Sequence, residues 1–221
     1  CAGSFDSRNQ KIAKATATLM KKAGVRFAIL GSEEKCTGDL ARRSGNEMLY
    51  QMLAGENVET LNGYKVKKIV TNCPHCLNSL KNEYSQLGGN YEVYHHTQFL
   101  DQLSAAGRLG KTRNLSKRKI TYHDPCYLGR YNNEYTAPRK LLNTVNLEAP
   151  VEMQKHGHES FCCGAGGARM WMEETIGTRI NEERVRQATE TGADTIATGC
   201  PFCMTMLSDG IASSDKAEQM E

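Results

Sequence analysis

At 221 residues, 39% hydrophobic and with a formal net charge of +3, the chain is long enough to bury the core of one large domain or two small ones. Its mixed charges single out no partner, its longest apolar run, residues 25–30, is far short of a membrane span, and no charged-then-apolar leader opens it. Nine cysteines, an odd number, argue against a closed disulfide framework, and their C-x-x-C spacings point to metal ligation in a reducing compartment.

Cys1-Ala2-Gly3-Ser4 reads as a strand-to-helix turn, and a first residue that is cysteine and not methionine leads us to expect a longer polypeptide whose preceding strand delivers Cys1. Ile12, Ala15, Leu19 and Met20 share one side of a helix over 10–22, which Gly24 closes. Residues 25–30 read as a short buried strand and Cys36-Thr37-Gly38-Asp39 as a loop. A second helix over 40–61 carries Leu49, Leu53 and Val58 and stops at Asn62-Gly63. A strand over 67–71 then delivers Cys73-Pro74-His75-Cys76, where another helix starts with Leu77, Leu80 and Tyr84 inward. The strand over 91–94 ends in His95-His96, and 98–106 is helical. Residues 107–119 form a polar, basic linker with Arg108, Lys111, Arg113, Lys117, Arg118 and Lys119. Lacking interleaved aromatics, it reads as a solvated interdomain loop and not as a nucleic-acid arm.

After the linker the same order recurs. Residues 120–122 are a strand ending in His123-Asp124-Pro125-Cys126, 137–142 a helix and 151–153 the next strand. Phe161-Cys162-Cys163-Gly164-Ala165-Gly166-Gly167 is a glycine-rich loop, 169–191 a helix, and the strand over 192–198 delivers Cys200-Pro201-Phe202-Cys203. From Ala212 onward the tail is polar and expected to fray. The expected domains are therefore 1–107 and 120–211, joined by 108–119 and followed by 212–221.

Spacing makes the repeat informative. Cys126 precedes Cys162 by 36 positions and Cys163 precedes Cys200 by 37; Cys1 precedes Cys36 by 35 and Thr37 precedes Cys73 by 36. The two copies use all nine cysteines, five in the second and four in the first, and the one difference is Thr37 opposite Cys163. Alternating strands and helices predict an α/β fold of two pseudo-symmetric repeats, each a small, mostly parallel sheet with flanking helices. The cysteines then lie at strand C-terminal ends, where open α/β sheets build their sites. Each C-P-x-C begins a helix whose N-terminal amides favour thiolates, and proline suits the first turn. Four or five converging thiolates need a cationic centre. Simple dithiol exchange, structural zinc and an iron-sulfur cluster all remain open on the residues alone, although a fifth cysteine exceeds the four ligands of a tetrahedral zinc ion.

The pattern Cys126, Cys162-Cys163-Gly164 and Cys200-Pro201-Phe202-Cys203 resembles the cysteine-rich CCG domain of heterodisulfide reductases and related iron-sulfur oxidoreductases, and spans essentially the whole chain as a tandem pair. His123-Asp124-Pro125-Cys126-Tyr127-Leu128-Gly129-Arg130 and the glycine-rich loop are most similar to the C-terminal half of membrane-bound iron-sulfur oxidoreductases that work with electron-transfer flavoprotein in fatty-acid oxidation. The resemblance implies a noncubane 4Fe-4S cluster on Cys126, Cys162, Cys163, Cys200 and Cys203. An ordinary 4Fe-4S cluster, zinc or an empty site falls to Cys1, Cys36, Cys73 and Cys76. It further implies an electron-transfer module taking electrons from electron-transfer flavoprotein or another redox protein. Their destination is haem and quinone in a membrane part absent from this chain, at the inner, cytoplasmic face of the cell membrane. Two alternatives compete with this relay: a heterodisulfide reductase-like catalyst acting on a disulfide or small substrate, and a zinc-stabilised scaffold.

Other residues carry weaker expectations. His95 and His96 end a strand near the cluster edge, where either could donate a proton to substrate or bond a cluster sulfide; the competing reading is a satisfied structural histidine. His123 and Asp124 flank Cys126 and are candidates for holding its thiolate, or for shaping the turn. Met170, Trp171 and Met172 read as core packing or as a cluster shield. Asp39 and Arg42 read as a helix cap and a solvated charge.

Overall fold

Proline at the second position of each C-P-x-C lacks an amide hydrogen and has its φ preset for a helix, so the cysteine before it is the last extended residue and the chain turns helical there. In the computed structural model, Cys73 (φ −114°, ψ 122°) precedes a helix at Pro74–Asn78 and Cys200 (φ −138°, ψ 126°) one at Pro201–Ala212. The structure describes residue 7 and residues 9–110, 115–214 and 220–221. It is mixed α/β and divides into two units, Cys1–Leu109 and Gly110–Glu221, each described separately below.

The first unit runs α1 (Gln10–Lys22), α2 (Asp39–Arg43), α3 (Glu47–Gly63), β1 (Lys68–Thr71), α4 (Pro74–Asn78), β2 (Glu92–His95) and α5 (His96–Ala105). β1 and β2 pair in parallel, Lys68 opposite Glu92 through Thr71 opposite His95. The single helix expected over 40–61 is broken at Ser44-Gly45-Asn46. Gly45 adopts φ +89°, and Asn46 restarts the helix by accepting the Leu49 amide at 3.0 Å. Beyond α4 the chain tightens through a π-helical turn (Ser79–Glu83) and a 3-10 turn (Tyr84–Leu87), which bury Ser79, Leu80 and Tyr84.

Residues 25–30 are not the expected buried strand. They have no regular structure, and Ile29 is 78% exposed. The second unit supplies the physical reason: there Val151, in the corresponding segment, bridges Thr121 of a neighbouring parallel strand. Counting back from the cysteines, the counterpart of that strand lies before Cys1, and among the described residues 25–30 meet no such neighbour.

The second unit runs β3 (Ile120–His123), α6 (Thr136–Val145), α7 (Ile180–Thr189), β4 (Thr195–Thr198) and α8 (Pro201–Ala212). β3 is buried along its whole length and pairs in parallel with β4, Ile120 opposite Thr195 through His123 opposite Thr198. The helix expected over 169–191 shrinks to a 3-10 turn at Arg169–Trp171 and to α7, because the intervening stretch turns at Gly177 (φ +69°) and leaves Ile176 almost fully exposed. Met170 packs on the core, but Trp171 and Met172 are exposed, so the packing expected of all three holds for the first alone. The tail does not fray throughout: Met220 joins the core, the Glu221 carbonyl accepts the Ile196 amide at 2.7 Å, and the Glu221 amide reaches the Asp194 carbonyl at 2.9 Å.

The basic stretch is tied down at both ends. Arg108 Nε donates to the Ala23 carbonyl at 3.0 Å, and Arg118 pairs with Glu221. Lys111 and Arg113 lie outside the described residues.

Candidate metal centre

In each unit a glycine sets the shape of the cysteine loop. Gly38 (φ +79°) and Gly164 (φ +92°) occupy the left-handed region, where a side chain would be strained. The Gly38 amide points at Cys36 Sγ (3.4 Å) and the Gly164 amide at Cys162 Sγ (3.3 Å), so both loops present one backbone donor to one sulfur. A Cβ on Gly38 would meet Tyr50 Cδ2 at 3.0 Å and the Tyr50 backbone at 3.2 Å, whereas one on Gly164 would meet Ile180 Cβ and Met206 Cε at 3.3 Å.

The residue before each glycine distinguishes the units. In the second, Cys163 is buried with Cys200 and Cys203 in the hydrophobic core, against Val185, Met206 and Leu207, while Cys126 and Cys162 are half-buried. Hydrogen bonds from the Cys162 and Cys203 thiols, with His123 adding to them, pull the Cys163 thiol well below its ordinary range. Its neighbours move oppositely. Donating to Cys163 and being buried push Cys162 up, donating to Cys163 and Cys200 pushes Cys203 well up, and burial beside Cys163 and Cys200 raises Cys126 to about 11. Protons held between these sulfurs occupy positions that a cation would take. His123, Cys163 and Cys203 offer ligand atoms within 4.8 Å of one another, the one such triad among the described residues.

In the first unit Thr37 Oγ1 donates to Cys76 Sγ at 3.6 Å, a hydroxyl standing where Cys163 meets Cys203. Hydrogen bonding from Cys73, with Thr37 adding to it, brings the buried Cys76 thiol down to about 7. Cys73 is also buried, Cys36 is exposed, and Cys1 lies outside the described residues.

The surroundings of the two loops differ as well. Asp39, expected as a cap, is the first residue of α2 and is buried: it meets His75 Nδ1 at 2.8 Å and Arg43 Nε at 3.1 Å. Burial works to raise its carboxyl, and His75 and Arg43 reverse this and hold it below the usual carboxylate range. Arg42 is no solvated charge, because it pairs with Glu83 at 3.1 Å and lies over the Tyr50 ring. The second unit has Ala165 and Phe202 where the first has Asp39 and His75.

His95 caps α5, its Nδ1 receiving the Thr97 amide (3.4 Å) and meeting Thr97 Oγ1 (2.7 Å), while Gln98 reaches back to the His95 amide. The His96 ring stacks obliquely on it at 4.2 Å. Asp124 receives both terminal nitrogens of Arg139 (2.7 and 2.8 Å) and the Gly157 amide (2.8 Å). Burial would raise its carboxyl, but these donors hold it below the usual range, and Arg139 extends the pair to Glu152. Asp124 thereby fixes the turn into Cys126.

Arg184 on α7 was not among the residues the sequence singled out. It is fully buried and reaches His123 Nδ1, Ser160 Oγ, Gln187 Oε1 and the Lys155 carbonyl. The signal for it is its position in the helix register beside Val185 and between Asn181 and Ala188, all buried.

A family described as CCG, cysteine-rich domain, matches residues 1–81 and 120–208. Among curated proteins the chain is 47% identical over 225 residues to the EtfAB:quinone oxidoreductase of Syntrophomonas wolfei, covering 99% of this chain and 31% of that protein. It is 48% identical over 219 residues to the "Probable iron-sulfur-binding oxidoreductase FadF" of Bacillus subtilis, again covering 99% of this chain and 31% of that one. It is 38% identical over 205 residues to one component of the dihydromethanophenazine:CoB–CoM heterodisulfide reductase of Methanosarcina barkeri, covering 90% of this chain and 50% of that component. The chain thus spans half or less of the length of these relatives.

Proposed function

Because the chain belongs to the CCG cysteine-rich domain family, whose match falls on both repeats, we propose that it is the iron-sulfur electron-transfer module of a larger oxidoreductase. In this reading 1–107 and 120–211 are the two cluster-binding domains and 108–119 links them. Cys126, Cys162, Cys163, Cys200 and Cys203 hold a noncubane 4Fe-4S cluster, and Cys1, Cys36, Cys73 and Cys76 hold a 4Fe-4S cluster.

The observation that carries the reading is the crowding of thiols about Cys163, whose proton affinities are driven in opposite directions by shared hydrogen bonds. The donor set fits an iron-sulfur centre: several soft sulfurs, a glycine amide aimed at one of them, and an apolar lining from Val185, Met206 and Leu207. A bound cluster supplies one-electron transfer at a potential set by charge, hydrogen bonds and solvent access. The chain's own residues do the rest. Gly164 and Gly38 donate to sulfur, Asp124 with Arg139 fixes the turn at Cys126, and the half-buried Cys126 and Cys162 leave an edge open to a redox partner.

Electrons arrive from electron-transfer flavoprotein and leave toward haem and quinone carried by a membrane part of the same longer chain, at the inner face of the membrane. The relative whose name joins EtfAB to quinone supports this assignment. No helix among the described residues is long and apolar enough to cross a membrane. A second reading, reduction of a disulfide at the second cluster, is favoured by the likeness to a heterodisulfide reductase component and by the accessible Cys126 and Cys162.

Mixing reduced electron-transfer flavoprotein with the complete enzyme and following haem absorbance tests the relay. Haem reduces in the wild type and fails to reduce after Cys163→Ser. Normal haem reduction in that variant removes the relay role.

A further inference from the structure

Arg184 is a cation with 0% exposure, and among the described residues none of its hydrogen-bond partners is a carboxylate. Asp124, the nearest candidate, already faces the Arg139 fork. A buried charge without a counter-ion is strongly disfavoured, so a structure that keeps one has negative charge elsewhere to set against it. Cys162, Cys163 and Cys203 are the other anionic groups whose fields act on Arg184. Burial brings its guanidinium down to about 10, which leaves it protonated at neutral pH.

Arg184 Nε donates to His123 Nδ1 at 3.0 Å. A ring nitrogen that accepts carries no proton, so the imidazole proton sits on Nε2. His123 also shares the 4.8 Å triad with Cys163 and Cys203. The imidazole therefore hands a donor toward these sulfurs in an orientation that Arg184 fixes, as outer partners do for metal-binding histidines.

The internal repeat provides the control. Arg184 lies 16 positions before Cys200, and 16 positions before Cys73 is Asn57. The register holds around both, since Val185 and Val58 are buried, as are Ala188 and Leu61. Asn57 is neutral and spends its amide on the Cys36 and Leu53 carbonyls at 2.8 and 2.9 Å. The repeat with Cys163 thus has the buried cation, and the repeat with Thr37 has none at this position.

We propose that Arg184 is a positioning residue and the counter-charge of the five-cysteine centre, holding the His123 Nε2 proton toward Cys163 and Cys203 and favouring the centre's reduced state. The inference rests on the cluster reading above and deepens it. A fixed cation stabilises the form that has gained an electron, so its removal lowers the midpoint potential.

The test is a dithionite titration of the anaerobically reconstituted full chain, read by EPR, for wild type, Arg184→Lys and Arg184→Asn. Arg184→Asn moves the second-repeat signal to more negative potential, Arg184→Lys retains most of the wild-type value, and the first-repeat signal stays in place. An unmoved second-repeat signal, an equal shift with lysine, or a shift of both signals overturns the proposal. Arg184→Gln serves, with the same outcomes, where the asparagine variant does not fold. A separate readout needs no cluster: 15N NMR of His123 in the iron-free, thiol-reduced chain shows Nδ1 unprotonated and Nε2 protonated. A proton on Nδ1 overturns the Arg184 assignment whatever the iron content, whereas wild-type chain that takes up no iron but shows the Nε2 proton defeats the cluster reading alone.

Discussion

Replacing Asp124 by asparagine tests whether the turn at Cys126 is held by charge. Asp124 is 3% exposed and receives three donors, two from Arg139 and one from the Gly157 amide. Asparagine keeps one acceptor oxygen and turns an NH2 group toward a donor, so at least one charge-assisted bond, worth about 1.5–3 kcal/mol, is lost. Removing one partner of a buried pair costs about 3–5 kcal/mol in full, but Arg139 keeps Glu152 and part of its solvation, which places Asp124→Asn near about 3 kcal/mol. Arg139→Met is the harsher change, because it leaves the buried Asp124 carboxylate with the Gly157 amide alone. Urea unfolding at neutral pH measures both, and Arg139→Met destabilises more than Asp124→Asn. The pH dependence has a fixed sign. The folded Asp124 carboxyl sits below its unfolded value, so its contribution is full above about pH 4 and is lost as pH falls through the lowered folded value. Asp124→Asn therefore removes part of the acid sensitivity. A cost below about 0.5 kcal/mol, typical of an exposed pair, or the reverse order of the two variants, refutes this reasoning.

The loop glycines give a paired prediction. Gly164→Ala costs about 1–2 kcal/mol from its left-handed backbone alone, with a methionine end and an isoleucine Cβ as the closest neighbours, and lowers iron uptake by the second repeat. Gly38→Ala costs more, because its Cβ meets the Tyr50 backbone, which cannot swing aside; equal losses in thermal unfolding of the two variants contradict that geometry.

The features legible in the sequence were those written locally. Proline fixes the start of each C-P-x-C helix, so Cys73 and Cys200 stand at strand ends as their dipeptides imply, and the apolar spacing of α1 marks Gln10–Lys22. Pairing was not local. Residues 25–30 are apolar enough to be a strand, yet a parallel strand needs a neighbour from elsewhere in the chain, which Val151 has and which they lack among the described residues. The break at Gly45 was readable in principle, since Gly45-Asn46 is a stop signal followed by a cap, but the apolar residues on either side carry the eye across it. Arg184 was hidden because Asn181-Glu182-Glu183-Arg184 reads as a solvated helix face. Its partner His123 is 61 residues away, and only the parallel pairing of β3 with β4 beside α7 brings them together.

Metal analysis of the complete chain, purified anaerobically, tests the cluster assignment most directly. Iron and acid-labile sulfide are expected in stoichiometric amount, with two distinguishable EPR signals and loss of the second-repeat signal alone in Cys163→Ser. Stoichiometric zinc without iron, or a Cys163→Ser variant with both signals intact, contradicts it.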